Sequence, residues 1–86
     1  MESSTEQFTI HNIAKIIQSK YHFRCHNLQH ISFEIYDHNT LDFKVVSDEY
    51  VKEVIKNTMD EIFFHKQYTL ATVHYVFKEL ATLAYI

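Results

Sequence analysis

The sequence predicts an α+β fold: one helix, an antiparallel β-hairpin with room for a third strand, then two helices packed on one face of the sheet. Three observations carry this. Helix starts are signalled at three places by a hydroxyl residue flanked by apolar partners. Between the first and second of them, two stretches alternate apolar and polar residues with period two. Finally, 86 residues with 47% apolar content suffice for a single core, and no linker or repeat divides the chain.

Taken in order, "FTIHNI" opens the first helix, with Thr9 as cap and Phe8 stapled to Ile13. That helix is expected over about Thr9–Tyr21, burying Ile10, Ile13, Ile17 and Tyr21, with Ala14 on the same stripe. A short strand within Phe23–Leu28 is a weaker expectation. "HISFEIY" then turns Ile31, Phe33 and Ile35 to one face, and "LDFKVV" turns Leu41, Phe43 and Val45 to the same face, joined by "DHNT". Matching those faces requires paired residue numbers with an even sum. A sum of 78 is preferred, because it sets Glu34 opposite Lys44 rather than Asp42.

"VSDEYV" opens the second helix, with Ser47 as cap, Val46 and Val51 as staple, and Asp48 and Glu49 at the positive end of the helix dipole. It is expected to run to about Lys66 and to bury Val51, Val54, Ile55, Met59, Ile62 and Phe63. "YTLATV" opens the third, with Thr69 as cap and Tyr68 stapled to Val73. This helix is expected over about Leu70–Tyr85, burying Leu70, Val73, Phe77, Leu80 and Ala84. The interruption at "HKQYT" is soft, so continuity of the second and third helices stays open. Residues 1–8 are expected to be a flexible N-terminus to the single domain 1–86.

Glycine and proline are absent from the chain. Phosphate-cradling loops, dinucleotide turns and the nucleophile elbow need glycine for φ > 0 or close backbone approach, so none is present in recognisable form. Turns must use Asn, Asp, His and Ser instead. One cysteine forms no internal disulfide, and no signal peptide opens the chain, so a cytoplasmic setting is expected. No run reaches the length of a membrane span, and no membrane association is expected.

The decamer "YHFRCHNLQH" holds His22, His26 and His30 at spacings of four, beside Cys25. In a helix such rings share one face about 6 Å apart, whereas in a strand they stand about 13 Å apart and cannot converge on one ion. The segment has poor helix propensity, so an extended or turned conformation is expected, with the histidines at a solvated edge. His22, Cys25 and His26 are the weak metal candidates, and no metal or cofactor is expected. A catalytic role for Cys25 would need a base in reach and a group to orient it, which no local pattern supplies.

Charge is segregated. Gln7–Phe33 has no acid and carries Lys15, Lys20, Arg24 and four histidines, whereas Glu34–Glu61 has eight acids against Lys44, Lys52 and Lys56. Such a dipolar chain suits oriented docking to a protein better than bulk binding to phosphates, given a net charge of −3. The element order, short length and aromatic-rich composition are similar in outline to small phage-encoded inhibitors, including certain anti-CRISPR proteins. That resemblance is one of element order and carries over no functional residue.

The expectation is a small non-catalytic protein-binding module that modulates or inhibits a larger protein partner, plausible for a phage-encoded chain. Glu34, Asp37, Asp42, Glu53, Asp60 and Glu61 would steer the encounter, with Tyr36, Tyr75 and Tyr85 as aromatic anchors. Surplus aromatics on the last helix also allow a homodimer through that helix. The alternative is a nucleic-acid-binding transcriptional regulator, dimeric, using Lys15, Lys20 and Arg24.

Overall fold

A computed structural model describes residues 9–63 and 69–86. Helix α1 spans Ile10–Tyr21, strands β1, β2 and β3 span Phe23–Cys25, Phe33–Asp37 and Asp42–Val46, and helices α2 and α3 span Asp48–Phe63 and Leu70–Ala84. The three strands form one antiparallel sheet in the order β1-β2-β3. The fold is the α+β arrangement expected, with α2 and α3 packed together, α3 against β1, and α1 alongside α3.

The three capping hydroxyls act as the sequence implies. Thr9 accepts from the Asn12 amide at 3.3 Å, Ser47 from Tyr50 at 3.1 Å and Thr69 from Thr72 at 3.2 Å. Each satisfies an amide that the first helical turn otherwise leaves unbonded. Helix α1 ends at His22, whose left-handed backbone (φ 54°) lets its amide bond the Gln18 carbonyl and turns the chain into β1. The expected stapling by Phe8 and Tyr68, the flexibility of 1–8 and the continuity of α2 with α3 concern residues outside those described, and the burial of Phe63 concerns a side chain that is not described.

The core lies on one side of the sheet. Ile13, Ala14 and Ile17 of α1, Val51, Val54, Ile55 and Met59 of α2, and Val73, Val76, Phe77, Leu80, Ala81 and Ala84 of α3 close over Phe23, Cys25 and Phe33. Phe33 is at the centre. Its ring meets Phe77 edge-on at 5.1 Å and Phe23 at 5.5 Å, the T-shaped geometry favoured by the ring quadrupoles.

Two expectations are corrected. The β2–β3 register pairs Phe33 with Val46, Ile35 with Lys44 and Asp37 with Asp42, an odd sum of 79. A one-residue slip inverts a strand. Val46 therefore packs against the core, while Leu41 and Val45, expected inward, are 73% and 70% exposed. The cause is the turn. Leu41 takes the left-handed conformation (φ 59°) with its amide on the Asp37 carbonyl at 2.8 Å. It thus belongs to the connection, and pairing begins one residue later. The second correction is Leu70, which is 76% exposed because it opens α3 on the side away from the core.

Candidate functional site

The helix-free face of the sheet is a built surface. Period-two alternation sends Phe23, Cys25, Phe33 and Ile35 toward the helices and Arg24, Glu34 and Tyr36 the other way. The inverted β3 adds Phe43 and Val45 to this outer face. Arg24 and Glu34 are directly opposite each other across β1 and β2, and Arg24 Nε donates to Glu34 Oε1. Arg24 also reaches over β2 to β3, where its guanidinium carbon stands 3.7 Å from the centre of the Phe43 ring. Tyr36 packs edge-on against Phe43 at 5.3 Å and against His38 at 4.9 Å.

The charges on the sheet are compensated internally. His26 Nε2 stands 3.2 Å from the Glu34 oxygen that Arg24 binds. The Arg24 hydrogen bond holds the Glu34 carboxyl below its ordinary value, partial burial works against it, and His26 adds a smaller pull downward. At the hairpin end, Lys44 Nζ meets Asp37 at 2.7 Å, and the Asn39 amide donates to the same side chain. Both interactions hold Asp37 below the ordinary aspartate value, Lys44 more strongly.

The expected site residues therefore separate. Glu34 and Asp37 are held in ion pairs, so the hairpin offers Asp42 as its exposed acid. Glu53, Asp60 and Glu61 are exposed on α2, where Glu61 stands 3.8 Å from Lys20 of α1. Tyr36 is half-buried on the outer face, but Tyr75 is on α3, on the helix side of the sheet, and Tyr85 follows α3 at the β1 edge, 56% and 52% exposed. The three tyrosine anchors thus do not share one surface. The three bases diverge too: Lys15 lines a groove between α1 and α3, Lys20 faces α2, and Arg24 is spent on Glu34 and Phe43.

That groove, about 380 Å³, is lined by Lys15, Gln18, Ser19, His22 and Leu83. The decamer is turned and extended as expected, with His22 at the α1 cap and His26 and His30 exposed around the turn after β1. Among the described residues no group of three or more His, Cys, Asp or Glu gathers to hold an ion. Cys25 is buried, and its thiol donates to the Asn27 carbonyl at 3.3 Å. No helix among the described residues is long and apolar enough to cross a membrane.

Sequence reasoning missed Phe43 and Val45, because the inferred register turned them into the core. It also missed the pairing of His11 Nδ1 with Glu79 Oε2 at 2.7 Å, which ties α1 to α3 across 68 residues of sequence. Arg24 opposite an acid was legible only once a third strand was granted. Compared with protein-family models, curated proteins and solved structures, the chain has no significant match.

Proposed function

We propose that the chain is a non-catalytic protein-binding module whose outer sheet face docks on a larger protein and modulates it. The single observation that carries this reading is the Tyr36–Phe43–Val45 surface, in which Arg24 packs on Phe43, left uncovered by α1, α2 and α3. Tyrosine, phenylalanine and arginine supply contact area at low entropic cost, the composition of interface anchors. The Arg24–Glu34 pair is already neutralised, so docking there strands no new charge. Asp42, exposed on the hairpin beside this face, would steer a basic partner. The inhibitory role, the phage setting and the cytoplasmic location belong to this proposal.

The nucleic-acid alternative has less support. Arg24 covers the Phe43 ring on which a base would stack, and Lys15 and Lys20 point elsewhere. The test is capture from native lysate with and without nuclease, using the wild type and Tyr36→Ala. A stoichiometric protein that survives nuclease and is lost with Tyr36→Ala supports the proposal. Capture that vanishes with nuclease overturns it.

A further inference from the structure

The two edges of the sheet are finished differently. On the β1 side, the Gln18 side-chain amide acts as a surrogate strand: its Nε2 donates to the Phe23 carbonyl at 2.6 Å, and its Oε1 accepts from the Phe23 amide at 3.0 Å. Two residues on, the Ile86 amide donates to the Cys25 carbonyl at 3.1 Å, in a parallel bridge between Cys25 and Tyr85. That edge is sealed.

Alternation carries this fact across the sheet. Phe23 and Cys25 turn their backbone groups outward, so Arg24 bonds Glu34 on β2, and Phe33, Ile35 and Asp37 face β3. Their partners Val46, Lys44 and Asp42 face inward to the ladder, which leaves the backbone groups of Phe43 and Val45 pointing off the edge. The Phe43 amide accordingly donates to Asp42 Oδ1, at 2.7 Å. Among the described residues none bonds the Val45 amide or carbonyl. An unpaired edge carrying a 70% exposed valine is a template for another strand.

The side chains on that edge name the strand. We propose that β3 pairs antiparallel with β3 of a second copy, about a two-fold axis at Phe43, to make a continuous six-stranded sheet. Residues of like parity must oppose each other for the faces to match. Setting Phe43 against Phe43 places Asp42 opposite Lys44 of the second copy, and Lys44 opposite its Asp42, on the core-side face. Val45 falls at the end of the shared ladder, next to the other copy's turn at Leu41, and the monomer leaves these two residues 70% and 73% exposed.

Neighbouring registers are rejected by the same charges. A shift one way opposes Lys44 to Lys44, and a shift the other way opposes Asp42 to Asp42. Pairing also eases a conflict within the monomer, where Asp42 is directly opposite Asp37 and Lys44 pairs with Asp37. The Phe43 amide exchanges Asp42 for the carbonyl of the other Phe43, and the released carboxylate meets the incoming Lys44. The inference concerns this chain alone and holds whether or not a larger partner docks on the outer face.

Sedimentation equilibrium over a concentration series tests it. The wild type is expected to pass from 10.3 kDa to twice that mass. Val45→Pro removes an outward amide that β2 does not use, so it is expected to leave the circular dichroism spectrum intact and abolish the dimer. Asp42→Lys and Lys44→Asp each turn two attractive cross-strand pairs into repulsive ones, weakening self-association about tenfold or more. Mixed together, they are expected to form a heterodimer at wild-type strength, a result that loss of folding could not produce. A wild type that stays at single-chain mass up to its solubility limit overturns the proposal. So does a dimer that survives Val45→Pro, which would put the contact elsewhere, such as the α3 face with Tyr75, or a variant mixture that fails to associate.

Discussion

Arg24 on β1 lies across the full width of the sheet, with its guanidinium carbon 3.7 Å from the centre of the Phe43 ring on β3 and its Nε bonded to Glu34 on the strand between. One side chain thus ties all three strands on the face that no helix covers. A double-mutant cycle of Arg24→Leu and Phe43→Leu in urea unfolding is expected to give a coupling of about 0.5–1 kcal/mol, the range for a cation–π contact at a part-exposed site. Strictly additive changes would mean that the two groups touch without stabilising each other.

Acid should weaken the sheet. Glu34 is held below its ordinary value of 4.5 by Arg24 and then His26, and Asp37 below 3.8 by Lys44 and the Asn39 amide. A depressed carboxyl stabilises the fold above its unfolded value and loses that contribution as pH falls through the folded one. Unfolding free energy is therefore expected to decline with falling pH below about 4.5 for Glu34, then further for Asp37 below about 3.8. In Glu34→Gln the first part of that decline should disappear. An unchanged acid limb in that variant would show that Arg24 and His26 do not stabilise the Glu34 carboxylate in solution.

Leu41 occupies the left-handed region in a chain with no glycine to place there. Its side chain is 73% exposed, so little burial is lost on replacing it. Leu41→Gly or Leu41→Asn is expected to raise stability by about 0.5–1 kcal/mol, since a Cβ in this region costs about 1–2 kcal/mol and added chain entropy offsets part of the relief for glycine. Chemical denaturation measures it, and destabilisation by both variants would contradict the turn described.

Gln18 completes the β1 edge through two hydrogen bonds to one residue. Gln18→Met keeps the length and removes both, leaving the Phe23 amide and carbonyl to find other partners. A loss of about 1–3 kcal/mol is expected. Faster amide exchange at Phe23 separates this local effect from general loosening.

The orientation of β3 can be read from two adjacent valines. Val46 packs against the core and Val45 does not. Val46→Ala is expected to cost about 1 kcal/mol and Val45→Ala less than about 0.5 kcal/mol. The reverse order would restore the opposite register.

The local elements were legible because their causes are local. Thr9, Ser47 and Thr69 each bind an amide three residues ahead, so a hydroxyl beside an apolar stripe suffices to mark a helix start. The decamer could be read as extended for the same kind of reason, poor helix propensity after Tyr21. The outer face could not be read. "LDFKVV" offers Leu41, Phe43 and Val45 on one side and Val46 alone on the other, so counting apolar residues favoured the wrong side.

By itself the sequence determined the order of elements, the helix starts and the apolar stripes that build the core. Only the tertiary structure decided which way β3 faces. The left-handed turn at Leu41 sets the pairing, and β3 lies outermost, where the helices reach Val46 but not the level of Lys44 and Asp42. Charged side chains are tolerated beyond that cover, and Phe43 is drawn to the far side by Arg24 and Tyr36. Register is a contest between whole faces, and its outcome depends on what covers each face once the chain has folded.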